Sequence, residues 1–243
     1  MRVSFPRLRR LYYLRYVLRL CVLAFALVMY FAYPRSFGLL TGLDFFRGFS
    51  WLHVVWIIWA VDTVRKLIPQ KGFMPLGSLK HFKSFYKPSR VRKGGEQLGR
   101  FLSKSGLDSL KVFILWMSLL VVVGVLWYVG FLEAKELLLC SVVLYVLDLT
   151  CILFWCPFRK LILKNRCCQT CRIFNWDHLM MFSPLLFVPG FFSISLISLA
   201  FIVFLVWEIS FVLHPERFSE ETNAALRCNN CTDLLCGREY CET

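Results

Sequence analysis

Of the 243 residues, 58% are hydrophobic and 24 are Phe, and the mean hydropathy is +0.61. That is far above the globular norm and excludes a soluble fold, which could not hide so much apolar surface. The formal charge of +14 lies between the apolar runs rather than along them.

A membrane-crossing helix needs about 20 mostly apolar residues. The first such run spans residues 17–33, provided that Arg19 snorkels to the headgroups. A basic start before an apolar run also fits a secretory signal. The run ends in YFAYPRS, however, with no small-residue cleavage site, so it reads as an uncleaved first span. The next segment, FSWLHVVWIIWAV, is short and is followed at once by Asp62, Arg65 and Lys66; by length alone it would be interfacial. Residues 112–132 carry no charge and are edged by Trp127 and Tyr128, as a membrane-interface belt would be. Residues 137–156 are interrupted only by Asp148. The last run, 179–213, is interrupted only by Glu208 and would extend about 52 Å as one straight helix, against a hydrocarbon core of about 30 Å. Pro184, Pro189 and Gly190 mark the expected bend.

Charge orders these runs. Residues 1–20 hold six arginines and no acid, residues 65–111 twelve Lys and Arg against Glu96 and Asp108, and residues 157–178 five against Asp177. Basic segments stay on the cytoplasmic side, which requires an even number of crossings between them and makes residues 49–68 a span. The expected fold is therefore an all-α polytopic helical bundle over residues 1–213. Its spans, about five, fall near 17–33, 49–68, 112–132, 137–156 and 191–213. Residues 65–111 form a basic cytoplasmic loop; residues 179–188 form either an interfacial helix, the favoured reading, which leaves the Cys-rich tail 214–243 on the opposite face, or a re-entrant one, which leaves it on the basic side. The amino terminus is expected in the cytoplasm, and the cell membrane is the expected location.

Eight of the eleven cysteines fall in two clusters: Cys156, Cys167, Cys168 and Cys171, then Cys228, Cys231, Cys236 and Cys241. Each cluster holds a CxxC, a spacing that lets two thiolates reach one Zn²⁺ or an Fe–S cluster, in a structural or electron-transfer role. Asp177 and His178 adjoin the first cluster as outer-shell groups or an extra ligand. The alternative for the same residues is thiol–disulfide exchange between the two CxxC pairs. A joint site requires the tail to return to the face of the first cluster. Cys21, Cys140 and Cys151 lie inside spans and read as packing residues.

A third reading rests on Asp148, the carboxylate most central to a span, as the proton or cation site of a small transporter or channel-like scaffold. Lys80, Lys83, Lys87, Arg90, Arg92 and Lys93, interleaved with Phe82, Phe85 and Tyr86, are expected on anionic lipid headgroups rather than on nucleic acid. No phosphate-cradling glycine motif, HExxH or Ser–His–Asp arrangement is present, so no reaction is specified.

Overall fold

A computed structural model of the chain describes residues 5–69, 76–89, 95–165 and 167–230. Without water, an apolar segment must satisfy its backbone groups internally, and the apolar runs accordingly fold as helices. They are α1 (Phe5–Ala32), α2 (Trp51–Val64), α3 (Leu76–Leu79), α4 (Gly95–Tyr128), α5 (Ala134–Leu153), α6 (Asp177–Phe182) and α7 (Phe191–Leu213). Among the described residues there is no strand, and the all-α fold class holds. Four helices are long and apolar enough to cross a membrane: α1 from Arg9, α4 from Leu98, and the whole of α5 and α7. The chain is thus a polytopic helical membrane protein.

Local chemistry sets the helix starts. Ser50 caps α2 by accepting from the Leu52 N–H at 3.1 Å, while His53 Nδ1 accepts the Ser50 N–H at 3.0 Å. Glu133 and Glu136 form the same reciprocal cap on α5. The basic stretch before residue 112 is helical from Gly95, so α4 begins well ahead of its apolar part, and Phe101 reaches Phe211 of α7.

Cross-helix contacts give each direction. α1 runs antiparallel to α5, with Tyr30 donating to Glu136 at 2.7 Å near one end and Tyr16 meeting Thr150 near the other. α2 lies along α7, where Trp56 Nε1 donates to Ser195 at 2.8 Å. The segment between α5 and α7 does not lie along the edge. It starts at Asp177 beside Lys66 and ends where Gly42 N donates to the Pro189 carbonyl at 2.8 Å, so it traverses the length of the bundle. Pro184 and Pro189 break it into α6, a tighter turn over Ser183–Phe187 and an extended exit. Irregular backbone survives at membrane depth only when protein surrounds it. Here Phe182, Leu185 and Val188 are almost fully buried.

This central strut explains a glycine. A Cβ on Gly190 would lie 2.0 Å from the Leu40 carbonyl oxygen, and the neighbouring Gly42 has φ +62°. The strut's exit therefore docks on the α1–α2 connection backbone to backbone.

The strut also reverses α7 relative to the sequence expectation. α7 starts beside Gly42 and ends beside the basic loop, where Phe82 packs on Trp207 and Phe211 on Phe218. Past α7, Ser89 N donates to the Thr222 carbonyl at 2.9 Å and Ala224 N to the Lys87 carbonyl at 2.8 Å. Residues 214–230 thus lie at the basic end, not opposite it. The reason is physical: residues 177–189 consume one passage of the bundle, and the sequence reading had laid them in the interface.

Candidate functional site

Two of the acids in the apolar helices, Asp62 and Asp148, meet at one place. Arg19 of α1 projects from an otherwise apolar stretch and donates through Nη1 to Asp148 of α5 at 2.7 Å and through Nη2 to Asp62 of α2 at 3.3 Å. Its guanidinium also stacks 3.9 Å from the Tyr145 ring centroid. The expectation that Arg19 snorkels outward is therefore corrected. Two carboxylates facing α1 in a low-dielectric interior hold the cation more strongly than the headgroup region would.

The cluster continues towards the basic end. Asp62 Oδ2 lies 3.8 Å from His178 Nε2, His178 Nδ1 lies 3.3 Å from Asp177, and Asp177 pairs with Lys66. Only 4% of His178 and 2% of Lys66 is exposed. Neither nitrogen of His178 makes a well-directed hydrogen bond among the described residues, so its contacts with both acids are electrostatic. Two fixed cations, Arg19 and Lys66, thus face three carboxylates, and a proton on His178 would complete the charge balance.

Two cavities meet at this cluster. One, of about 730 Å³, lies between α1 and α2 and reaches Asp62, Asp148, Asp177 and His178. The other, of about 420 Å³, lies on the far side of α5 and is lined by Asp148 and Asp177 together with Cys151, Cys156 and Cys171. Asp148, Ile152, Phe174 and Asp177 line both and form the wall between them.

The cysteines are only partly gathered. Cys156 sits just beyond α5, where it accepts from the Arg159 N–H at 3.4 Å and pairs with the Cys151 thiol. The Cys151 hydrogen bond pulls the Cys156 thiol down to about 6, against burial and with help from Arg159. Cys171 is buried with Val112 and Ile173, and Cys167 is half-buried. Among the described residues no three His, Cys, Asp or Glu side chains converge as metal ligands. Asp177 and His178, read from sequence as outer-shell groups or an extra ligand of a metal, lie in the charge cluster with Lys66 and Asp62. The side chains of Cys168 and Cys228, and Cys231, Cys236 and Cys241 altogether, lie outside the described residues.

Glu208, expected near the face opposite the basic loops, sits at the basic end. It accepts from Arg172 Nε at 3.1 Å and from Trp176 Nε1 at 2.7 Å. Of the basic-loop side chains, Lys83 and Lys87 are exposed and Lys80 donates to Gln169 at 2.9 Å, while Arg90, Arg92 and Lys93 lie outside the described residues. Sequence reasoning missed Arg19, Lys66 and Tyr145 as site residues. A basic residue inside one apolar run and an acid inside another was the signal available for Arg19 and Asp148.

The fold and this cluster define a polytopic α-helical membrane protein with a charged site inside its bundle. Comparison with family models, curated proteins and solved structures finds no match to this chain.

Proposed function

We propose that this chain is a small transporter or channel-like scaffold in which Asp148, Asp62 and His178 bind and release a proton or cation. The observation that carries the reading is the imidazole held between two carboxylates, in a cluster whose acids outnumber its fixed cations, at the meeting of two cavities. Buried ions cost several kcal/mol each, so a set that is only balanced by one more positive charge favours uptake of that charge. The groups that face His178 are Asp62 of α2, Lys66 in the turn just after it and the neighbouring Asp177, with Arg19 of α1 and Asp148 of α5 one contact further on. By the positive-inside rule, the amino terminus, the basic loop and the first cysteine cluster lie in the cytoplasm. The test is proton flux into vesicles reconstituted with the full chain. Asp148→Asn and His178→Gln should each abolish flux, His178→Gln with the thermal unfolding midpoint of the purified protein preserved and Asp148→Asn with a lower one, because Arg19 loses a buried partner. Flux at the unmodified level in both variants would overturn the reading.

A second reading, thiol exchange, is favoured by the Cys151–Cys156 contact rather than by the CxxC pairs. It predicts a reversible Cys151–Cys156 disulfide, detectable by mass after oxidation with a small-molecule disulfide.

A further inference from the structure

The larger cavity has a shape and a charge gradient that the proton reading does not use. α1 packs along α5 and α2 along α7, and the two helices scarcely touch each other. The gap between them is closed at one end by Phe25 and Trp51, whose rings meet at 5.7 Å. From Trp51 to Lys66 it runs about 22 Å at helical rise, longer than the roughly 15 Å hydrocarbon depth of one leaflet. Its rim in that length is apolar and exposed: Leu18 and Phe25 on α1, Val54, Ile58 and Val61 on α2. Beyond the inner set, in which Arg19 and Lys66 face Asp62, Asp148 and Asp177, its basic end carries two further cations, Arg15 and Arg65.

Such a cleft opens sideways from helix faces that look onto lipid, so its occupant enters from the bilayer. The volume of about 730 Å³ falls in the usual range for pockets that enclose a small organic ligand, about 300–1,000 Å³. The apolar length suits an acyl chain, and the two further cations beyond the inner cluster suit a phosphate. We infer that the α1–α2 cleft is a binding site for one anionic phospholipid, its chain between Phe25 and Val61 and its phosphate beside Arg15 and Arg65.

The experiment uses the full chain in vesicles with a phosphatidylglycerol carrying a mid-chain photoreactive group, and maps the crosslinked peptides. Labelling should concentrate on residues 18–25 and 54–61, exceed that by the matching phosphatidylcholine probe, and fall about fivefold for each arginine removed in Arg15→Gln and Arg65→Gln. Soluble glycerol phosphate in excess should not compete, because it lacks the chain. Competition by glycerol phosphate would reassign the site to a soluble anion and overturn the inference. So would equal labelling by the zwitterionic probe, or labelling as strong on the exposed face of α4 at Val121 and Val125. Ile58→Trp, which fills the cleft away from the charges, should abolish the labelling with the unfolding midpoint preserved; labelling retained in that variant would also overturn it. Proton flux need not change in any of these variants, so the lipid site and the proton site fail or stand separately.

Discussion

Arg19 of α1 is bonded at 2.7 Å to Asp148 of α5, and the pair ties the first helix to the bundle at a depth where neither charge could stand alone. The pair also satisfies Asp62. Breaking a buried pair by removing one partner leaves an uncompensated charge and costs about 3–5 kcal/mol. Arg19→Leu should therefore lower the unfolding midpoint sharply in detergent micelles. Arg19→Leu combined with Asp148→Leu should recover part of the loss, because replacing both charges by apolar groups avoids the orphaned carboxylate. A double mutant less stable than the Arg19→Leu single mutant would show that the pair does not account for the stability of this contact.

Gly190 makes a second, purely steric prediction. A methyl group there meets the Leu40 carbonyl oxygen at 2.0 Å, and that neighbour is backbone rather than a side chain able to swing away. Gly190→Ala should cost at least about 1–3 kcal/mol, the range for overpacked cores, and loosen the α1–α2 connection. Gly99→Ala is the control: it lies in exposed helix with nothing within 4 Å and should be neutral or stabilising by about 0.5–1 kcal/mol. Thermal unfolding of the two variants side by side measures the difference.

Much of this architecture is legible in the residues. Long uncharged runs such as that of α4 leave the backbone no alternative to helix in lipid, and the three arginine- and lysine-rich segments do gather at one end of the bundle. The central strut is not legible, because residues 177–189 are too short and too broken by proline to resemble a span, and only burial by neighbouring helices makes that backbone tolerable. That one segment decides the direction of α7 and hence the position of residues 214–230. The site is half legible. Asp148 announces itself inside an apolar run, but its partner Arg19 reads equally well as a snorkelling residue until α1 is placed against α5. His178 and Asp177 sit beside a cysteine cluster in sequence and beside Asp62 and Lys66 in space.

His81 makes the docking of residues 214–230 on the basic loop sensitive to acid. The ring is buried, stacked on Phe218 at 4.5 Å, and burial pulls its pKa from 6.5 down to about 4, against hydrogen bonds that it donates to the backbone at Arg217 and Gln169. Once the segment detaches, His81 regains its ordinary value, so the detached state binds more protons between about 4 and 6.5. Docking is thus at full strength above pH 6.5 and weakens as pH falls through that window, by at most about 1.4 kcal/mol per pH unit. Amide-exchange protection at Ser89 and Ala224, whose N–H groups bond across this contact, should drop between pH 6.5 and 4. His81→Phe should flatten the profile; protection independent of pH in the unmodified chain would mean that His81 is not the titrating group.

Cys156 should be the most reactive of the described thiols. The Cys151 hydrogen bond lowers it to about 6 from an ordinary value near 9; burial opposes the shift, while the Arg159 N–H at 3.4 Å and that residue's charge assist it. At pH 7 it is therefore mostly thiolate, the nucleophilic form, and it lines the cavity of about 420 Å³ beside α5. Alkylation by N-ethylmaleimide, followed by peptide mass, should label Cys156 first, with a rate that rises through a midpoint near pH 6 and levels off above pH 7. Replacing its donor in Cys151→Ala should move that midpoint upward, towards the value of an ordinary thiol. A rate that climbs steadily through pH 8 in the unmodified chain would mean that the thiol is un-ionised at neutral pH, and that the Cys151 contact only packs the end of α5.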